Sequence, residues 1–486
     1  GIFKAQNIAS RNTNNSFVNY GTFEIGTADI SGYVENNGQA AFNELTLREY
    51  GSVNKQGAEL TAGKLTVSGN ALAGASGTYD IRGSLENQCK LSVTDELTVA
   101  GDMTNSGEVD IAKLTVQAAT PVQDATAGSF INTALAKVDS MLTEAGSFVT
   151  NAADAVLTIA GLKGASELNG TVTNDGTLKV DGTASVAVAS GELNNNGTME
   201  NTNALNVTGG TVGNNGSLAL NGLNITGGQV QNSAQADQFK DSGTTQIEMA
   251  DASDVGIANE GHLELSNLML LKGMIQGGSV GSKDVTLADV RQDASIEAEK
   301  VQLKELNNAG TVKATEFAAA KSENTGNVEV GNLILAENDR FFNQAAGSVK
   351  ADLLVLNGGE FVNVDGNTSD IALTQISTGG QFTSDGDSNL QKVVSNEGTI
   401  NLNKGNLNIA ELDAKNSVYN QLGGHFKADK GFFEDSTLNI KGGIFDASEV
   451  RDSEGNVTGL LGNNTVNISG GNKTPVIDNE DSAEVK

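Results

Sequence analysis

The chain holds two imidazoles, His262 and His425, and one thiol, Cys89, from which a side-chain base or nucleophile working at neutral pH would ordinarily be drawn. A nucleophilic relay needs a Ser, Cys or Thr paired with its base, and neither histidine stands in such a motif. Both follow a glycine and open an alternating apolar stretch, Gly261-His262-Leu263-Glu264-Leu265 and Gly424-His425-Phe426-Lys427-Ala428. Thr198, Ser217, Thr311 and Thr399 fill the same slot elsewhere, so both imidazoles are expected to point outward at strand starts. Cys89, in Asn87-Gln88-Cys89, takes the place that glycine holds in sister segments, which makes it a substitution within a repeat and not an activated thiolate. Asp385, Asp387 and Asn389 imitate the first oxygens of a calcium loop. Leu390, however, stands where the sharp-turn glycine is required and no bidentate Glu follows, so an acidic corner is the expectation and calcium the open alternative. Glycoside cleavage needs two carboxylates about 5–9.5 Å apart, which 60 acidic residues would supply somewhere, yet the stacking platform is scarce, with no Trp and 5 Tyr. No catalytic residue, metal ligand or cofactor-binding residue is therefore assigned, and the expectation is a protein that is not an enzyme.

Composition narrows the partners. Against 30 basic residues the 60 acidic ones give a net charge of -30, which repels phosphate backbones, so no nucleic acid is expected. The acids are dispersed, as on a solvated face. One cysteine permits no internal disulfide. No stretch approaches the roughly 18 apolar residues of a spanning helix, so direct membrane insertion of this segment is not expected. The start, Gly1-Ile2-Phe3-Lys4, is neither an initiator Met nor a signal peptide and reads as a processed piece.

The elements that hold these residues repeat. From Gly216, apolar residues fall at Leu218, Leu220, Leu223 and Ile225, and the same offsets recur from Gly38, Gly107, Gly261, Gly326 and Gly347, and from Ala294 where the glycine is lost. One polar residue inside each apolar pair is the period of a strand, and the three-residue jump between pairs is a corner. A third short strand follows a glycine pair, as in Gly228-Gln229-Val230 and Gly359-Glu360-Phe361, and Asn-x-Gly steps such as Asn195-Asn196-Gly197 and Asn396-Glu397-Gly398 close the coil. Asn and Gly are expected there because both tolerate a left-handed backbone. Origins at Gly176, Gly197 and Gly216 lie 21 and 19 residues apart. That length suits one turn of an all-β, right-handed parallel β-helix, a three-sided solenoid of coils of about 20 residues, and predicts ~24 turns and a rod on the order of 115 Å. One coil buries roughly six apolar side chains, less than ordering its backbone costs, so stability must come from stacked neighbours and capped ends.

The predicted organisation is an N-terminal cap or first coil over 1–18, a β-helix over 19–460, and a C-terminal cap and polar tail over 461–486. Loops leaving the rod are expected near 117–128, 233–243, 281–293 and 448–462, where the register slips. Ile131, Leu135, Val138 and Leu142 have helical spacing, but Phe130 and Phe148 fit the third-strand register, and irregular solenoid is the reading taken. The sequons at Asn206 and Asn224 arise from strand alternation.

The pattern Asn-x-Gly-Thr-Φ-x-Φ, Leu-x-Φ, Gly-Gly-x-Φ-x-Asn over 195–232, where Φ is apolar, resembles the passenger domains of bacterial autotransporters and related β-helical adhesins. The likeness covers nearly the whole chain and is one of architecture more than of signature residues. It implies export through an outer membrane, an extracellular or cell-surface location, and roles in adhesion, self-association or biofilm. Neither a signal peptide nor a C-terminal membrane barrel is in this sequence, which departs from the full pattern. The expected partners are further copies of the chain or molecules of a host or neighbouring cell. Two alternatives stand beside this reading: a filament subunit stacking head to tail into a homopolymer, and a polysaccharide-degrading β-helix.

Overall fold

The structure, a computed structural model, describes residues 1–10, 14–48, 50–68, 83–119, 127–364 and 368–447, and the short strands 72–74, 77–79, 460–461, 465–468 and 476–478. It is an all-β parallel solenoid of about 21 turns. The turns are fewer than the ~24 that a uniform coil predicts because several coils are longer than average: the equivalent residues Asn54 and Asn87 are 33 positions apart. The chain clusters into two compact units, residues 1–249 with 256–263, and residues 250–255 with 264–486.

In the first unit each strand pairs in parallel with the equivalent strand one coil later. Thr177–Val180 lies on Thr198–Asn201 and that on Ser217–Leu220. Val186–Val188 lies on Leu205–Val207 and that on Leu223–Ile225, while Thr171–Asn174, Glu192–Asn195 and Thr211–Asn214 form another column. Leu218, Leu220, Leu223 and Ile225 all point inward and are buried, as their spacing predicts. The segment with helical spacing is strand, Ser129–Asn132 and Leu135–Thr143. Phe130 is buried as expected, but Phe148 is not its counterpart: Val149 pairs with Phe130, and Phe148 faces out at 51% exposure. The register of the third strand is set by the Asn at its end and not by its aromatic.

The closing asparagines have a different function from the one expected of them. Asn19, Asn36, Asn54, Asn87, Asn105, Asn132, Asn151, Asn174, Asn195, Asn214, Asn232 and Asn259 are buried strand-end residues. Each donates from Nδ2 to Oδ1 of the next, over 2.7–3.0 Å. The second amide proton reaches a backbone carbonyl in the next coil, at the start of the strand after the next asparagine, as from Asn174 to Thr198 O at 2.9 Å and from Asn195 to Ser217 O at 2.9 Å. A carboxamide carries the two donors and the acceptor that each step of this column uses; Asp would set acceptor against acceptor.

The glycines of these steps are corrected as well. Gly197, Gly216, Gly261 and Gly398 do not have positive φ; in the last step it is Glu397 that does, at 58°. What requires glycine is close approach: a Cβ on Gly216 would lie 2.1 Å from the carbonyl oxygen of Gly197, and one on Gly197 equally close to that of Gly176. Cys89 sits in this column, its carbonyl oxygen 2.1 Å from where a Cβ on Gly107 would be.

Strand also runs into expected loops. Gln238–Glu248 occupies much of 233–243, and its buried Asp241 accepts from Gly222 N at 2.7 Å, Gly243 N at 2.9 Å and Thr245 Oγ1 at 2.6 Å, closing the corner through Gly243. In the second unit a continuous strand, Leu287–Asn308, starts inside 281–293. Of 117–128, the tip at 120–126 lies outside the described residues, as does nearly all of 448–462, and its base closes by Gly128 N to Gln117 O.

In the second unit the slip of register expected near 281–293 is a change of frame. Gly261 and Ala294 are 33 positions apart, but the ladder partner of Ala294 is Gly273 and not Gly261. Leu268 and Leu270 pair with Ala288 and Val290, while Ile296 pairs with Ile275 and Val301 with Val280. The column begun by Leu268 and Leu270 continues into the strand that carries Asn308, through Glu305 N to Thr286 O and Ala309 N to Val290 O. The sequence motif has advanced by one strand against the ladder. A second amide column, Asn308, Asn324, Asn343 and Asn363, follows with 2.7 Å steps and passes to Ser388 Oγ at 3.1 Å. Beside it the rings of Phe341, Phe361 and Phe382 stack at 5.5 and 5.4 Å.

Candidate functional site

Strand alternation turns every second side chain outward, and parallel in-register pairing places outward residues of successive coils one strand spacing apart, about 4.8 Å. The surface is therefore made of rows. Some are charged: Lys179 meets Glu200 at 3.7 Å, Lys313 meets Glu297 at 3.5 Å, and Lys350 meets Glu329 at 3.3 Å, each pair being register partners. At Lys392 and Glu411, 2.7 Å apart, the hydrogen bond holds the carboxyl below and the ammonium above their ordinary values. Such exposed pairs contribute little each, but they fix register and keep like charges apart. Other rows are amides, as in Asn439 to Asn420 to Asn401 at 2.8 and 2.9 Å.

One row borders a concavity. Asp370, Asn389, Asn408 and Lys427 are register partners over four coils of the second unit. Next to them along their strands come Gln391, Ala410 and Asp429, and together these residues line a groove of about 330 Å³ floored by Leu390 and Ile409. Asn408 Nδ2 donates to Asn389 Oδ1 at 3.0 Å, and Lys427 Nζ stands 3.4 Å from Asp429 Oδ1. Asn389 entered the sequence reading only as a third oxygen of a calcium imitation. The sign that could have found this groove was polar residues at one outward offset in four consecutive repeats, next to an alanine.

His262 opens the strand His262–Gln276 and is exposed; His425 opens His425–Glu434 and is half-buried, with His425 N bonded to Gly405 O at 2.8 Å. The structure does not bring the two together with Cys89, which is half-buried at its corner. Asp387 Oδ1 accepts from Asn406 N at 3.0 Å and Asn406 Nδ2 at 2.8 Å, whereas Asp385 Oδ1 is buried without a partner. Among the described residues no three of His, Cys, Asp and Glu converge as a metal site, and no helix is long and apolar enough to cross a membrane. The sequon residues are neighbours in a row, Asn224 Nδ2 reaching Asn206 Oδ1 at 3.0 Å. Compared with known proteins, the chain matches no family model and no curated protein.

Proposed function

We propose that the chain is a non-enzymatic structural and adhesive protein of a bacterial cell surface, a right-handed, three-sided β-helix comparable to autotransporter passengers and β-helical adhesins. The observation that supports this best is the organisation of the surface. Polar and charged side chains are laid out in rows that recur coil after coil and are joined across coils by amide and ion-pair contacts. Enzymes concentrate perturbed groups at one site. Here the shifts at Glu35, Glu96, Lys321 and Glu411 follow surface ion pairs and hydrogen bonds instead. An array of this kind gives repeated weak contacts over a long surface, which is how avidity is built without a deep pocket.

The test is display of the chain on cells that lack it, with deletion from its natural host as the converse. Cell aggregation or attachment that follows the presence of the chain is expected, with no release of reducing sugar from a glycan panel. Release of sugar, or attachment indifferent to deletion, would overturn the reading.

A further inference from the structure

We infer that the groove over Asp370, Asn389, Gln391, Asn408, Lys427 and Asp429 is a binding site for an uncharged glycan chain lying across successive coils. The shape is the first argument. A volume of about 330 Å³ holds a short oligosaccharide segment, and Ala410, between Gln391 and Asp429 in the same row of corners, leaves the floor open where a longer side chain would fill it.

Chemistry is the second. Sugar hydroxyls both donate and accept, and the lining supplies both capacities at neighbouring points: amides at Asn389, Gln391 and Asn408, carboxylates at Asp370 and Asp429, an ammonium at Lys427. Asn408 spends one amide proton on Asn389, which leaves Asn389 Nδ2 and Asn408 Oδ1 for a ligand. The step between these groups is one strand spacing, about 4.8 Å, on the scale of one pyranose unit, so successive sugars would each meet a polar group of the row.

Charge selects among glycans. Two carboxylates stand against one ammonium, and that ammonium is already beside Asp429, on a chain of net charge -30. A polyanionic glycan is repelled at the groove and from a distance, and a neutral one is not. With no aromatic ring in the lining, a few net hydrogen bonds hold a single segment in the millimolar range, which suits contact through many copies. This inference rests on the adhesive reading above and names its ligand class.

The experiment uses the whole chain and three probes, cellotetraose, tetra-N-acetylchitotetraose and tetragalacturonate, with binding followed by ligand-observed NMR and by calorimetry. At least one neutral tetrasaccharide is expected to bind, and tetragalacturonate is not. Ala410→Ile, which fills the floor, and the double change Asn389→Ala with Asn408→Ala should each weaken binding about tenfold or more. Asn420→Ala, in an amide row outside the groove, should leave it unchanged. All the altered groove positions are exposed, so unchanged amide hydrogen exchange of the peptides covering 368–434 will show that these coils are intact. Binding of none of the probes, binding equal in all variants, or preference for tetragalacturonate overturns the groove; attachment of displaying cells that persists in the groove variants would then leave the adhesive reading standing. Shortening of a bound oligosaccharide would support the groove and overturn the non-enzymatic reading.

Discussion

Asn195 and Asn196 are adjacent, identical in type and opposite in consequence. Asn195 is fully buried; it accepts from Asn174 at 2.8 Å and donates to Asn214 Oδ1 and Ser217 O, both at 2.9 Å. Asn195→Ala deletes three neutral hydrogen bonds at about 1 kcal/mol each and leaves Asn214 Oδ1 buried without its donor, a further ~1–3 kcal/mol, for a total of roughly 4–6 kcal/mol. Asn196 is exposed, and its two side-chain contacts, a bond donated to Asp175 at 2.8 Å and one accepted from Asn215 at 3.0 Å, both lie in solvent, so Asn196→Ala should stay within about 0.5 kcal/mol. A long array need not unfold in one step, so a single denaturation midpoint is the wrong measure. Amide hydrogen exchange on peptides covering 171–220 is the right one, because local opening free energy is read coil by coil. Asn195→Ala should speed exchange there by about three to four decades while distant coils hold their rates, and Asn196→Ala should leave exchange there nearly unchanged. Equal effects of the two substitutions would refute the amide column as a source of stability.

The corner glycines give a similar contrast: Gly216→Ala drives a Cβ to 2.1 Å from Gly197 O and should cost several kcal/mol, whereas Gly213→Ala meets only the Asn194 side chain at 3.2 Å and should be near neutral, as amide exchange on the same peptides would show. Lys283 pairs at 2.5 Å with Asp339, whose side chain is 6% exposed. Lys283→Met should destabilise by about 1–3 kcal/mol, discounted for the partial exposure of the lysine, and a double-mutant cycle with Asp339→Asn giving a coupling under about 0.5 kcal/mol would contradict a structural role. Burial pushes the Tyr419 hydroxyl well above the usual tyrosine range. Its neutral form is favoured by the fold, so its contribution is intact below the unfolded value of about 10 and is lost as pH rises past it. Tyr419→Phe, which strips Gln421 Oε1 of a donor 3.0 Å away, should be less stable at pH 7 yet show a flatter loss of stability from pH 9 to 11 in urea melts.

Much of the architecture was legible because strand alternation is a local property. Leu218, Leu220, Leu223 and Ile225 declare an inward face by spacing alone, and the outward slots of His262 and His425 follow from the same period. The groove was not legible, since its residues belong to four coils and none is chemically unusual alone.

The sequence by itself determined the period, the inward set and the acidic charge, because each is carried within one coil or by composition. Tertiary structure decided what happens between coils. That Asn195 faces inward to hydrogen-bond its neighbours, and that Gly216 is required by a carbonyl one coil earlier, depend on which turns lie in contact. The shift of frame after Gly261 was settled there too: a one-strand slip keeps every apolar residue inside and changes only the ladder it joins, so hydrophobic spacing cannot register it.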